Sequence, residues 1–354
     1  MRITSFSLAL LAGLAANAAD KVVGGPYVVN VGQRTATVMW VVETSRASLG
    51  AAPGKVDKTA PALHAEKVSF TGLQPGKTYY FDTGTEDGKG SFKTAPNGPA
   101  AFQFVVYGDT RTRHEMHRKV VDAILKFASP DLILHTGDLV ADGADSAQWP
   151  VFFDIERELL RKTAFFPSLG NHERNNPQYY EFFGVTTPYY SFNWGSSHFI
   201  VLNSDVGNVS SSDVGRETYW NEQARWLKED LEKSQSADFR FLIAHHPPLT
   251  AVSTRQGNNP HMTALMSMFE KYKLTAGFFG HDHNYQHYVK DGVHYFVTGG
   301  GGAPLYNVDK PPAGITLKVE STEHFVVVKV DGKTARVEAL RLDGQPLEIT
   351  TLNQ

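Results

Sequence analysis

The chain has 354 residues, 41% of them apolar and 20% charged, a globular composition with length for about two domains and a sizeable core. A formal net charge of −3 gives no electrostatic case for nucleic acid or an anionic membrane as the main partner. The absence of cysteine excludes disulfides, thiolate nucleophiles and cysteine-ligated zinc together, and fits export and cytosol equally well.

Residues 1–18 read as a signal peptide: Arg2 precedes an apolar stretch from Leu8 to Leu14, and Ala16-Asn17-Ala18 fits a small-residue cleavage site. The alternative is a short N-terminal helix of the mature chain. The stretch is too short to span a bilayer, and no later one reaches that length without charges. The expectation is a secreted or periplasmic protein with no membrane span. Residues 19–97 read as all-β, in short runs rich in Val, Thr, Tyr and Phe separated by Gly, Pro and Asn turns, which predicts a small sandwich. TATVMW and TGLQPGKTYYF resemble a fibronectin type III domain. That resemblance implies a binding or spacer module that brings no catalytic group. Ala95–Ala100, APNGPA, reads as the linker.

From there to residue 354, apolar runs alternate with segments of helical periodicity at 116–128, 220–234 and 262–272. This alternation predicts a layered α/β domain over residues 98–354. Near its end, alternating apolar residues on both sides of Asp331-Gly332 predict a hairpin.

Five apolar runs of this region each stop on a metal-binding residue type. AFQFVVYGD ends at Asp109, DLILHTGD at Asp138, TAFFPSLGNH at Asn171 and His172, FRFLIAHH at His245 and His246, and TAGFFGHDH at His281 and His283. Ligands of open α/β sheets bind beyond the carboxyl ends of the strands, so these ends could converge on one cleft. Glycines directly before Asp109, Asp138, Asn171 and His281 permit sharp turns and close backbone approach. The donors are oxygens and imidazoles without sulfur, a set suited to Zn, Mn or Fe. About seven donors exceed the needs of one four- to six-coordinate ion. Two ions sharing a carboxylate is the economical reading, and such pairs serve phosphoryl-ester hydrolysis.

The motifs GD (108–109), GDLV (137–140), GNHE (170–173), HHPP (245–248) and GHDH (280–283) are similar, in this order, to those of the calcineurin-like metallophosphoesterases. The N-terminal strands, YYSFNWGSSHFIVLNSD (189–205) and GHDHNYQ (280–286) look most like the purple acid phosphatase branch. The resemblance covers about residues 22 to 340. It implies a four-layer α/β-β-α catalytic domain with two central sheets and two divalent or trivalent metal ions. By that resemblance Asp138 bridges both ions, Asp109 and His283 hold one, and Asn171, His245 and His281 hold the other. His172 would contact the phosphate and protonate the leaving alkoxide, with Glu173 orienting it. His246 would support the site from behind the ligands. His261 is a candidate substrate contact or, equally, a surface histidine at a helix start. The implied reaction is hydrolysis of a phosphorylated small molecule, a monoester, by in-line attack of a metal-bound hydroxide. A phosphodiesterase is the nearest alternative; a catalytically degenerate binding protein is the other. The polar loops 204–217 and 253–261 read as the rim of the cleft.

Two positions depart from the family pattern. Many metallophosphoesterases place a histidine where Arg111 stands, and purple acid phosphatases a tyrosine where Ala141 stands. Both sources of a further ligand for the Asp109 ion are missing, and a tyrosinate-coloured di-iron site loses its support. Arg111 reads either as a phosphate ligand, pairing bidentately with phosphate oxygens, or as a structural ion pair with a nearby carboxylate. His114 and His117 are candidates to complete the metal shell or to orient Arg111.

Overall fold

The computed structural model describes residues 20–353, so the leader expected at 1–18 lies outside the described residues. In chain order the N-terminal region contributes β1 (Lys21–Val29), β2 (Ala36–Leu49), β3 (Lys58–Phe70), β4 (Thr78–Asp82) and β5 (Lys89–Lys93). There follow β6 (Phe102–Tyr107), α1 (His114–Phe127), β7 (Leu132–His135), α2 (Trp149–Leu160), β8 (Ala164–Pro167), α3 (Pro177–Phe183), β9 (Tyr190–Trp194) and β10 (Ser197–Val201). After these come α4 (Asp213–Lys233), β11 (Phe239–Ala244), α5 (Pro260–Ala264), α6 (Met266–Lys271), β12 (Ala276–Phe279), β13 (Tyr285–Lys290) and β14 (Val293–Thr298). The chain closes with β15 (Thr316–Glu320), β16 (His324–Asp331), β17 (Thr334–Arg341) and β18 (Pro346–Asn353). The expected hairpin is there: β16 and β17 pair antiparallel down to Asp331 and Thr334.

One sheet of nine strands runs β18-β17-β16-β6-β7-β8-β1-β2-β3, and a second of seven runs β15-β13-β14-β12-β11-β10-β9. Within the first, β6, β7 and β8 are parallel; within the second, β10, β11, β12 and β14 are parallel. The central strands β7, β8, β11 and β12 are buried along their whole length, which is why they read as unbroken apolar runs. Phe104, Val106 and Leu134 of the first sheet meet Phe199, Phe241 and Phe278 of the second in a core between the sheets. The opposite face of the first sheet is covered by α1 and α2 through Val120, Ile124, Trp149 and Phe152. That of the second is covered through Trp220, Leu227 and Phe269 of α4 and α6. The layers are therefore helix, sheet, sheet, helix.

The N-terminal region is strand-rich: β1, β2 and β3 continue the nine-stranded sheet, while β4 and β5 pair antiparallel in a sheet of their own. β1 pairs with β8 at Val28 and Ala164, so the expected linker at 95–100 does not mark a break in this sheet. Alternation along β1 and β2 serves two cores: Val28 and Val38 face the inter-sheet core with Phe92 of β5, while Tyr27, Met39 and Val41 face α2 and α3. The helix α4 begins at Asp213, inside the segment expected to be rim loop, because the Ser212 hydroxyl accepts from Gly215 N at 3.1 Å and caps it.

Behind α1 lies a buried polar cluster. Tyr107 Oη donates to Glu156 at 2.7 Å, and His117 Nε2 lies 2.7 Å from Glu156 Oε1, with all three side chains sealed from solvent. Removing the carboxylate leaves a phenol and an imidazole buried without their acceptor. Glu156→Ala is expected to lower the unfolding free energy by about 3–5 kcal/mol in urea titration. A loss below about 1 kcal/mol would show that the cluster is not what holds α1 to α2.

Candidate metal centre

The five strand ends singled out in the sequence are the carboxyl ends of β6, β7, β8, β11 and β12, drawn from both sheets. Asp109, Asp138 and His281 sit just past β6, β7 and β12 with φ of 62°, 58° and 67°. Left-handed backbone is costly for residues with a Cβ, of order 1–3 kcal/mol each, and clusters at functional sites. The turns carrying these side chains are laced together. Asp109 N donates to Gly137 O at 3.0 Å, and Thr110 N donates to Asp138 O at 3.0 Å. A Cβ on Gly280 would lie 2.5 Å from Asp109 Oδ2, and one on Gly299 2.7 Å from the same atom. Only glycine lets those turns come so close.

Two groups of donor atoms result. Asp109, Asp138 and His283 form one, and His245, His246 and His281 the other, with atoms in each group within 4.8 Å of one another. Asn171 belongs with the second, its Oδ1 lying 3.0 Å from His245 Nε2 and 3.1 Å from His281 Nδ1. Asp138, a member of the first group, also reaches the second: its Oδ1 is 3.4 Å from His245 Nε2. His283 Nε2 lies 3.3 Å from Asp109 Oδ1.

Backbone carbonyls set the tautomers. His245 Nδ1 donates to Thr136 O at 2.8 Å and His283 Nδ1 to Pro304 O at 2.6 Å, so both Nε2 lone pairs point into the cluster. That is the usual outer arrangement of metal-binding histidines. Burial, with His246 and His245 alongside, lowers the His281 pKa far below the imidazole range. Burial and His245 likewise depress His246. Neutral imidazoles and ionised carboxylates are the forms that bind metal. Burial opposes ionisation of Asp109, yet the hydrogen bond and charge of His283 lower its pKa overall. The donor chemistry, the tautomers and the burial all fit metal ions.

Residues 102–285, more than half of the chain, match the family described as calcineurin-like phosphoesterase. The chain belongs to that family. Among curated proteins it is 26% identical to purple acid phosphatase 15 of Arabidopsis thaliana over 70% of this chain and 55% of that one. It is 23% identical to mouse (Mus musculus) acid phosphatase type 7 over 63% of this chain and 57% of the other. The chain thus spans little more than half the length of these relatives. Among solved structures it resembles purple acid phosphatase PPD1 of yellow lupin (Lupinus luteus), with TM-score 0.70, 16% identity, and coverage of 93% of this chain and 74% of that one. It also resembles PhoD, with TM-score 0.62, 14% identity, and coverage of 93% and 88%. At these identities the structural likeness speaks for the fold.

Where calcineurin-like enzymes often carry histidine, Arg111 has its Nε 3.4 Å from Asp138 Oδ2. That nitrogen is buried and has no hydrogen-bond partner. Where purple acid phosphatases carry tyrosine, Ala141 lends its carbonyl, which accepts from His172 Nδ1 at 2.7 Å. His172 Nε2 is thereby the ring nitrogen turned toward Asp138, 3.9 Å from Oδ2.

Several expected supporting roles fall out differently. The Glu173 carboxylate is spent on backbone rather than on His172: it accepts from Asp138 N at 2.9 Å, Leu139 N at 2.7 Å and Gly170 N at 2.7 Å. Its position is that of a clasp between the β7 and β8 turns. Burial, then the charge of Asp138, pushes its pKa up to about 8. His117 is committed to Glu156, and His114 is exposed in the first turn of α1. Neither belongs to the donor groups found among the described residues. His246, expected to support the site from behind, is instead grouped with His245 and His281 as a donor, its Nδ1 2.9 Å from Ser204 Oγ and its ring 4.2 Å from that of His281. His261 is exposed and packs on Trp220 at 5.2 Å between centroids, in the wall of a cleft of about 650 Å³ that also reaches Asp205 and His246.

The sequence reading passed over Gly299–Gly302, which press on Asp109, Gly108 and His117, and Tyr306, stacked on His283 at 4.3 Å and 15°. Four consecutive glycines were a visible signal of close backbone approach. The Tyr306 stack had none.

Proposed function

We propose that this chain is an exported phosphatase that hydrolyses phosphate monoesters at a two-metal centre. The observation that carries the reading is the placement of two donor groups on either side of one carboxylate, Asp138. Asp109, His283 and Asp138 would hold one ion; Asn171, His245, His281 and Asp138 the other. Zn, Mn or Fe suits these donors, and the missing tyrosine argues against the tyrosinate form. Bound there, the ions supply positive charge to a phosphoryl group and acidify a water.

The protein's own groups do the rest. His172, its Nδ1 held by Ala141 O, presents Nε2 to the centre; as imidazolium it can hand that proton to a leaving alkoxide. Arg111 carries a permanent charge on the same side of Asp138 and has N–H groups to spare for phosphate oxygens. The cleft lined by Asp205, Trp220 and His261 is large enough for a small organic leaving group. Export rests on the signal-like residues 1–18. No helix among the described residues is long and apolar enough to cross a membrane.

The test is hydrolysis of p-nitrophenyl phosphate and bis-p-nitrophenyl phosphate before and after chelation and after return of Zn, Mn or Fe. Chelator-sensitive activity with the monoester preferred is expected. Preference for the bis-ester would make the chain a phosphodiesterase. Absence of metal-dependent activity on both would leave only a binding role.

A further inference from the structure

Resting on the two-metal reading, we infer that the two metal positions are unequal, and that Arg111 makes the Asp109 position the weak, exchangeable one. The donors are unevenly shared. Asn171, His245 and His281 crowd one side of Asp138, with His246 in the same group. Among the described residues, the other side has only Asp109 and His283. The bridging carboxylate is also unevenly shared. Its Oδ1 lies 3.4 Å from His245 Nε2 and accepts from His172 N at 3.0 Å, which leaves Oδ2 as its freer oxygen. Yet Oδ2 is the oxygen that Arg111 Nε approaches at 3.4 Å.

That guanidinium cannot move aside by losing its proton, because arginine stays charged at any relevant pH. Its Nε is buried and makes no hydrogen bond, and Asp138 Oδ2 at 3.4 Å is the compensating charge beside it. A dication held by Asp109, His283 and Asp138 would share the Asp138 carboxylate with a fixed positive charge, in a setting where such charges interact strongly. A dication among His245, His281 and Asn171 would have Arg255 nearby, but that guanidinium donates to His281 O at 2.9 Å and is paired with Asp282 Oδ1 at 3.2 Å, so it does not compete for the Asp138 carboxylate. Family members with histidine at position 111 gain a ligand; this chain gains a competitor.

Zinc titration of the chelator-stripped full chain by calorimetry tests this. Wild type should bind in two phases of about one ion each, separated more than tenfold in Kd. Asp109→Asn should delete the weak phase and spare the tight one, which assigns the phases. Arg111→Ala and Arg111→Gln should each tighten the weak phase more than tenfold and change the tight phase less than threefold. Arg111→Lys, which keeps the charge, should leave the weak phase weak. Thermal melts of all four variants establish that they are folded, and either neutral Arg111 variant suffices if the other is not. Equal phases in wild type, or a weak phase that the neutral variants leave unchanged or weaken further, would overturn the inference while leaving two-metal binding intact. Binding of no zinc, or of one ion only, would overturn it together with the reading on which it rests.

Discussion

Asp138→Asn should strip the protein of both metals and cut turnover of p-nitrophenyl phosphate by roughly 10³-fold or more, equivalent to about 4 kcal/mol of transition-state stabilisation. The residue is buried, its Oδ1 takes the His172 amide at 3.0 Å and faces His245, and its Oδ2 faces Arg111. An asparagine keeps the size and the His172 hydrogen bond but removes the negative charge that two cations would share. The effect should therefore appear in elemental analysis as a loss of metal, with little change in thermal stability of the chelated protein. Two equivalents of metal retained by Asp138→Asn would contradict its bridging role.

His172→Ala should leave metal content unchanged and lower kcat by about 10²–10⁴-fold, the range for loss of a general acid. The size of the loss should depend on the leaving group. An alkyl phosphate such as glycerol 2-phosphate needs its alkoxide protonated and should suffer most; p-nitrophenolate leaves readily unprotonated and should suffer least. Equal losses on both substrates would point to phosphate binding by His172 in place of proton donation. The Ala141 carbonyl fixes the ring, so the side chain at position 141 has no direct part in this step.

The strand-end donors were legible because each lies directly behind an apolar run, with a glycine before Asp109, Asp138, Asn171 and His281. Burial of both faces of β7, β8, β11 and β12 writes itself into composition without any knowledge of partners. Legibility ended where function depends on which distant segments meet. Glu173 follows His172 in sequence, and adjacency suggested that one orients the other. In the fold its carboxylate turns to the amides of Asp138 and Leu139, in a different turn. His117 lies close in sequence to Asp109, but the helix α1 turns it toward Glu156 of α2. The joining of β1 to β8 at Val28 and Ala164 spans more than a hundred residues and leaves no local periodicity to read. The start of α4 was hidden for a different reason: a Ser- and Gly-rich stretch looks like loop until Ser212 is seen capping it.

The proposed chemistry requires two ions flanking Asp138. Anomalous diffraction from crystals of the full chain, grown with manganese and collected either side of its absorption edge, measures this directly. Two peaks are predicted, one among Asn171, His245 and His281 and one between Asp109 and His283, roughly 3.5–4 Å apart as in paired-metal sites. A single peak, or none at these residues, would contradict the two-metal centre.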